Sequence, residues 1–285
     1  MKPARFAYFA PTTLDEALAL RAEHGYDSAV LAGGQSLVPL LNLRMAQPEV
    51  VIDLGRVEGL DAISAENGTI SFGAMVRQRQ AERSEAVRAA LPLLAKALHH
   101  VGHPPIRNRG TIGGSLAHAD PAAELPAVAL ALDAELVVAK SGSTRTVAAA
   151  DFFQGFLTTA VESDELLVEV RFPKLAGGIG TSFVEIARRA GDFATAGVGV
   201  GVVRDTDGAV ADARIVLIGV GSGPVRAGAA EEALRGKRPS AELFADTAEV
   251  AVAELEPPSD IHATAEYRRQ IAQVLVRRAL EEATA

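Results

Sequence analysis

An α+β fold in three successive units is what this sequence predicts, on three observations. A strong helix signature and two short apolar runs open the chain, with a Gly-Gly turn directly after the first run. A middle stretch mixes strand-like and helix-like segments around a second Gly-Gly turn. The last third carries two long strand-like runs followed by helical ones, the order expected of an antiparallel sheet covered by helices.

Thr13 and Glu16 in "TTLDEALALRAEHG" form a capping box, Leu14, Ala17, Leu18 and Arg21 continue at helical spacing, and Gly25 supplies a stop. Strands are expected at Ser28 to Ala32 and Glu49 to Gly55, which completes a unit at residues 1–55. The second unit, 56–175, has strands expected at Gly68 to Ala74, Glu135 to Lys140 and Glu165 to Pro173. Ser84 to Gly102 reads as a helix that Pro92 either kinks or splits. Asp120-Pro121 reads as a cap and first helical position, with Pro126 demanding a break further on. Lys174 to Gly180 is the expected linker into the third unit, 176–285, where Asp207-Gly208 marks a hairpin turn.

With 285 residues, 48% hydrophobic and 22% charged, the chain can bury a substantial core and suits two or three domains. A net charge of −8 argues against a nucleic-acid binder. There is no cysteine, so thiol catalysis, Cys-ligated zinc and iron–sulfur clusters are excluded within this chain. The apolar run Phe6 to Ala10 is too short for a signal-peptide core, and the glycine-rich run Ala194 to Val203 is far short of a membrane span. A cytoplasmic location is the expectation.

No metal ligands and no catalytic residue are nominated. His99, His100 and His103 lie close together, but Gly102 and Pro104-Pro105 break any helix that would align them, and a polar helix end is the simpler reading. His118 reads as a hydrogen-bonded loop histidine as readily as a ligand contact. "GVGVGVV" and "GVGSGP" miss the dinucleotide fingerprint, because Val202 and Pro224 stand at the sixth positions. The first reads as a strand packed closely on a neighbour, the second as a loop.

The two Gly-Gly turns carry the chemistry that remains. Paired glycines permit positive φ and remove Cβ atoms that would hold a ligand off. Successive amides can then converge on an anion, with Ser36, Thr111 and Ser115 adding hydroxyls. Each turn alone is more simply a structural tight turn. Together, each flanked by a hydroxyl residue, they favour a grip on the two halves of a pyrophosphate.

"AGGQSLVPLLNLRMAQPEVVIDL" and "IRNRGTIGGSLAHADPAAELP" resemble the two FAD-binding signatures of the medium, flavoprotein subunit of molybdenum hydroxylases, the carbon monoxide dehydrogenase and xanthine dehydrogenase family. The likeness extends over the chain, including "RRAGDFATAG" and the terminal "AEYRRQIAQVLVRRAL". It implies two α+β subdomains of the vanillyl-alcohol-oxidase-like FAD-binding fold, followed by a C-terminal antiparallel sheet with helices. It also implies non-covalent FAD with its diphosphate held by Ala32, Gly33, Gly34, Gln35, Ser36 and Leu37 and by Thr111, Ile112, Gly113, Gly114 and Ser115. Glu124 matches an acidic position that contacts FAD, while Val101 and Leu167 fall where apolar side chains flank the flavin. Asp192 and Phe193 fall beside the isoalloxazine; Phe193 lacks the hydroxyl of the tyrosine common there, and Val184 stands where some relatives place a lysine. Plain core positions for Val101, Leu167 and Phe193 are the bland alternative.

The same resemblance implies a place in a complex. A large subunit would hold the molybdenum cofactor and a small one two [2Fe–2S] clusters, usually as a dimer of heterotrimers. Electrons would pass from the clusters through FAD to an external acceptor: quinone, NAD or oxygen. A stand-alone FAD-dependent oxidase or reductase of the same superfold is the rival. The basic C-terminal segment around Arg268 and Arg277 is expected to face a partner subunit.

Overall fold

The computed structural model describes residues 1–173 and 178–285 of the chain. Most of the linker expected at Lys174 to Gly180 therefore lies outside the described residues. Strands β1 (Ala7–Phe9), β2 (Ser28–Leu31) and β3 (Val50–Asp53) make a parallel sheet in the order β1-β3-β2. Helix Leu14–His24 connects β1 to β2 and begins on the expected capping box. The Thr13 hydroxyl accepts from the Glu16 N–H at 3.2 Å, and the Glu16 carboxylate accepts from the Thr13 N–H at 3.3 Å. Gly25, at φ +46°, ends the helix. Strand β1 was not legible, because all three of its residues are exposed and give no apolar alternation.

The second sheet is antiparallel throughout. It contains β4 (Ile63–Glu66), β5 (Thr69–Gly73), β6 (Glu135–Lys140) and β7 (Ser143–Ala148); after a small hairpin of β8 (Phe153–Gly155) and β9 (Thr158–Thr159) comes β10 (Leu166–Pro173). The order is β4-β5-β10-β6-β7. Alternation along β6 shows how the sheet is used. Val137 and Ala139 pack with Ala17, Leu18 and Ile52 of the first unit, whereas Leu136 and Val138 join Phe72, Leu94 and Leu98. The sheet is thus covered on both faces, one by the first unit and one by helices of its own unit.

Pro92 splits the expected helix. One helix covers Glu85–Ala90, and a second, Pro92–His100, takes Pro92 in its first turn, where the missing N–H costs nothing. The segment after the second Gly-Gly turn departs further from expectation. Asp120 does not cap a helix; its carboxylate accepts the Ala122 N–H at 2.9 Å in a turn, and the helix starts at Glu124. Pro126 then falls in the first turn and breaks nothing. The glycines themselves lie in a short helix, Ile112–His118, capped by Thr111.

Strands β11 (Gly180–Ile186), β12 (Ala196–Arg204), β13 (Val210–Ile218) and β14 (Val225–Arg226) form the third sheet, antiparallel in that order. The run "GVGVGVV" is the buried strand β12, with a hairpin at Asp205 to Ala209 leading into β13. Val198, Val200 and Val202 point at Ile271, Leu275 and Ala279 of the C-terminal helix Ala265–Thr284. The intervening glycines leave the other face bare, so that a Cβ at Gly199 would lie 3.9 Å from Leu93 of helix Pro92–His100. No helix among the described residues is long and apolar enough to cross a membrane.

Candidate functional site

The first Gly-Gly loop hangs on the carboxyl end of β2, and the next helix, Leu37–Asn42, begins directly after it. Gly34 adopts φ +74°, a value that an L side chain strains to reach. Its carbonyl accepts the Val38 N–H at 3.1 Å, and the Gln35 side chain folds back to donate to the Gly33 carbonyl at 3.1 Å. The N–H groups of Gly33, Gly34, Gln35, Ser36 and Leu37 find no acceptor among the described residues. Gly33 is buried. A run of unanswered amides at a half-buried turn is costly unless an anion or water answers it.

The second loop is wired differently. Ile112 N–H donates to the Val76 carbonyl at 2.9 Å, Gly113 N–H to the Ala74 carbonyl at 3.0 Å, and Ser115 N–H to the Thr111 carbonyl at 3.2 Å. Gly114 N–H is taken by the Thr111 hydroxyl at 2.9 Å. The first two bonds fasten the loop to the residues just after β5, the other two close on Thr111, and none of these amides is free to receive a ligand. What the loop leaves free is the half-buried Ser115 hydroxyl, which has no partner among the described residues.

The glycines bring the two loops together rather than making room for a ligand. A Cβ at Gly33 would lie 2.5 Å from the Arg109 carbonyl and 2.7 Å from Gly110 Cα. One at Gly114 would lie 2.6 Å from the Thr111 hydroxyl and 3.3 Å from Ala32 Cβ, and one at Gly113 would strike Ala74 at 2.5 Å. The expectation that these Cβ atoms would point at a bound diphosphate is therefore corrected: they would point into the protein.

The apolar positions divide. Leu167 is 7% exposed in the core beside a bulge in β10, and Val101, half-buried at the end of helix Pro92–His100, packs against that core. Phe193 is 61% exposed and is not a core residue. Its loop rests on the Val101 to His103 turn, since a Cβ at Gly191 would lie 2.5 Å from His103 Cε1. Asp192 and Phe193 line a cleft of about 940 Å³ that also takes in residues near 120, 220 and 260; neither Gly-Gly loop borders it.

Glu124, first residue of its helix, is 5% exposed. Burial, and then the Glu185 carboxylate nearby, push its pKa up to about 8, against opposing pulls from its backbone and from His100. His100 Nδ1 lies 3.5 Å from Glu185 Oε1, which raises the imidazole pKa against its burial. The other oxygen, Glu185 Oε2, is buried without a hydrogen-bond partner among the described residues. This trio of Glu124, His100 and Glu185 was not visible in the sequence; no motif links a helix end, a helix start and a strand. Arg268 corrects another expectation. It is 5% exposed and donates to the Thr195 carbonyl at 2.6 Å, the Gly219 carbonyl at 3.1 Å and Asp260 at 2.7 Å. It binds the chain's own loops and presents no charge to a partner.

Comparison with known proteins defines the class. Residues 4–175 match the family described as the FAD binding domain in molybdopterin dehydrogenase. Residues 181–283 match the CO dehydrogenase flavoprotein C-terminal domain. The chain belongs to the FAD-binding medium subunits of the carbon monoxide dehydrogenase and xanthine dehydrogenase family, and is an oxidoreductase subunit of that type. It is 41% identical to the 6-hydroxypseudooxynicotine dehydrogenase complex subunit alpha of Paenarthrobacter nicotinovorans, over 99% of this chain and 96% of that one. It is equally 41% identical to the caffeine dehydrogenase subunit beta of Pseudomonas sp. strain CBB1, with the same shares covered. Its fold superposes on a solved structure of carbon monoxide dehydrogenase from Hydrogenophaga pseudoflava with a TM-score of 0.96 and 42% identity, covering 99% of this chain and 98% of that one.

Proposed function

We propose that this chain holds FAD non-covalently and relays electrons from the [2Fe–2S] clusters of a small partner subunit to an external acceptor. The substrate would be oxidised in a large molybdopterin-binding subunit, in a cytoplasmic dimer of heterotrimers. The observation that carries the reading is the set of N–H groups from Gly33 to Leu37 with no acceptor among the described residues, in a chain of this family. Ala32 to Leu37 would supply amides and the Ser36 hydroxyl to the diphosphate. Thr111 to Ser115 would form the opposing wall, with Thr111, Ile112, Gly113 and Gly114 holding its shape and Ser115 offering its hydroxyl. Glu124 would present a protonated carboxyl to a polar atom of the cofactor. Val101, Leu167, Asp192 and Phe193 would surround the flavin ring.

Bound there, FAD would supply the exchange between single-electron and paired-electron chemistry, and the protein's share would be to bind and orient it. The division into units at 1–55, 56–175 and 176–285 belongs to the same reading. No substrate is assigned, since relatives named for a pseudooxynicotine and for caffeine stand at the same identity. The test is flavin extraction from the chain co-expressed with its genomic neighbours, by denaturation and chromatography of the supernatant. About one FAD per chain is expected. A colourless protein that takes up no added FAD would overturn the reading.

A further inference from the structure

The turn that carries Val101 is held by a buried ion pair that the FAD reading leaves unused. Arg107, in the short helix Pro104–Arg107, and Glu82, in helix Gln78–Arg83, are each 6% exposed. The guanidinium meets the carboxylate with two parallel bonds, Nε to Oε2 at 3.0 Å and Nη2 to Oε1 at 3.1 Å. Arg79 adds a bond to Glu82 Oε2 at 2.7 Å. Burial alone would raise the Glu82 carboxyl, but the hydrogen bonds and charges of Arg107 and Arg79 outweigh it and hold its pKa below the ordinary value. Glu82 is thus a fixed anion that anchors one edge of Arg107.

The other edge grips the backbone. Nη1 donates to the Val101 carbonyl at 2.9 Å and to the Gly102 carbonyl at 3.3 Å. The Arg107 N–H takes the His103 carbonyl at 3.1 Å, so one residue answers three consecutive carbonyls of the turn. Little else fixes it. The N–H groups of Val101, Gly102 and His103 find no acceptor among the described residues, and Gly102 stands at φ +48°. A turn with so few backbone bonds of its own takes its shape from the side chain that gathers it. The loop carrying Phe193 rests on the same turn, through Gly191 against the His103 ring.

We propose that Arg107 is a positioning residue for the flavin: anchored on Glu82, it gathers the Val101 to His103 turn so that Val101 bears on the ring. It acts through the turn and not by a contact of its own. The inference rests on the FAD reading, because that reading is what puts Val101 beside the ring.

The experiment uses the full chain, read by FAD titration after flavin removal, by visible circular dichroism of the bound flavin, and by a thermal scan. Arg107→Lys keeps a cation for Glu82 but cannot span both carbonyls as well. The FAD dissociation constant should rise roughly fivefold or more, and the visible dichroism should fall by about half. Gly102→Ala leaves the ion pair intact and strains the turn, with its Cβ 3.1 Å from Ile106 Cγ2. It should give the same loss, and it carries the test by itself should Arg107→Lys fail to fold. Val101→Ala should weaken FAD binding in the parent and add less than about twofold to Arg107→Lys, where the contact is already lost. The control is Arg226→Lys, which disturbs a similar grip on buried Glu231 and on Asp133, neither of them assigned to FAD. It should lower the melting temperature and leave FAD affinity within about twofold and the dichroism unchanged. Parent-like affinity and dichroism in Arg107→Lys or Gly102→Ala, an equal flavin effect in Arg226→Lys, or full additivity with Val101→Ala would each overturn the assignment while leaving the FAD reading intact. Absence of FAD from the parent protein would remove both.

Discussion

Glu124 shows how one buried carboxyl couples the site to stability. In the unfolded chain it ionises near its ordinary value of 4.5, while in the fold burial holds the proton on until about pH 8. Between those values the folded chain binds a proton that the unfolded chain lacks, so stability falls as pH rises through the window and levels off above it. In the flavin-free chain Glu124→Gln should match the parent near pH 4, below the unfolded value, and exceed it by roughly 3–5 kcal/mol at pH 8.5. Urea midpoints across that range measure the difference; parallel curves would contradict it. The loop residues separate in the same way. Gly33→Ala places its Cβ 2.5 Å from the Arg109 carbonyl and should lower stability by about 1–3 kcal/mol together with FAD content. Ser115→Ala touches only a free hydroxyl, and should weaken FAD binding about tenfold with an unchanged melting temperature, read by flavin titration beside a thermal scan.

At the scale of the element, the short helix Ile112–His118 depends on its cap. Thr111 is 1% exposed, and its hydroxyl receives the Gly114 N–H. Thr111→Val should cost about 1 kcal/mol in urea denaturation, because it orphans that amide, whereas an exposed cap such as Ser240 should lose less on the same change. The sequence was informative wherever local chemistry decides the element. The Thr13–Glu16 box, the stop at Gly25 and the alternating glycines of β12 all read correctly, because cap bonds and period-two packing are written in adjacent residues. Distant partners were hidden. Asp120-Pro121 looked like a helix start because nothing nearby says that its carboxylate closes a turn on Ala122. The two Gly-Gly loops do meet in space, but the reason for their glycines differs from the one the sequence suggests. Adjacent glycines signal a close approach and do not say whether a ligand or another loop approaches. Here Gly33 faces Arg109 and Gly110, and the amides from Gly33 to Leu37 are left without an acceptor among the described residues.

For the molecule as a whole, the question is what holds the C-terminal sheet and helix against the FAD-binding units. Part of the answer is the bare glycine face of β12, where Gly199 leaves room for Leu93 of helix Pro92–His100. Another part is Arg268 on the C-terminal helix, which reaches across three loops. Its guanidinium ties the Thr195 carbonyl, just past Phe193, to the Gly219 carbonyl and to Asp260. Gly219 in turn donates its N–H to the Pro121 carbonyl at 2.9 Å, which carries the connection into the second unit. The Asp260 end is partly solvated, but its carboxyl is held down to about pKa 2: burial alone would raise it, and the His262 and Ala263 N–H groups with Arg268 outweigh that. Removing the guanidinium strands two carbonyls inside the protein, and that desolvation is the dominant loss. Arg268→Met keeps the stem and removes the donors, and should cost on the order of 3 kcal/mol. Hydrogen exchange should rise first at Ala194 to Ala196, beside the loop carrying Phe193, ahead of the rest of β12. Arg277, about half exposed and 3.9 Å from Glu281, provides the contrast, and Arg277→Glu should stay within about 0.5 kcal/mol of the parent. If both substitutions proved equally harmless in urea, the C-terminal helix would be held by its apolar face alone, and the loop carrying Phe193 would be positioned without help from Arg268.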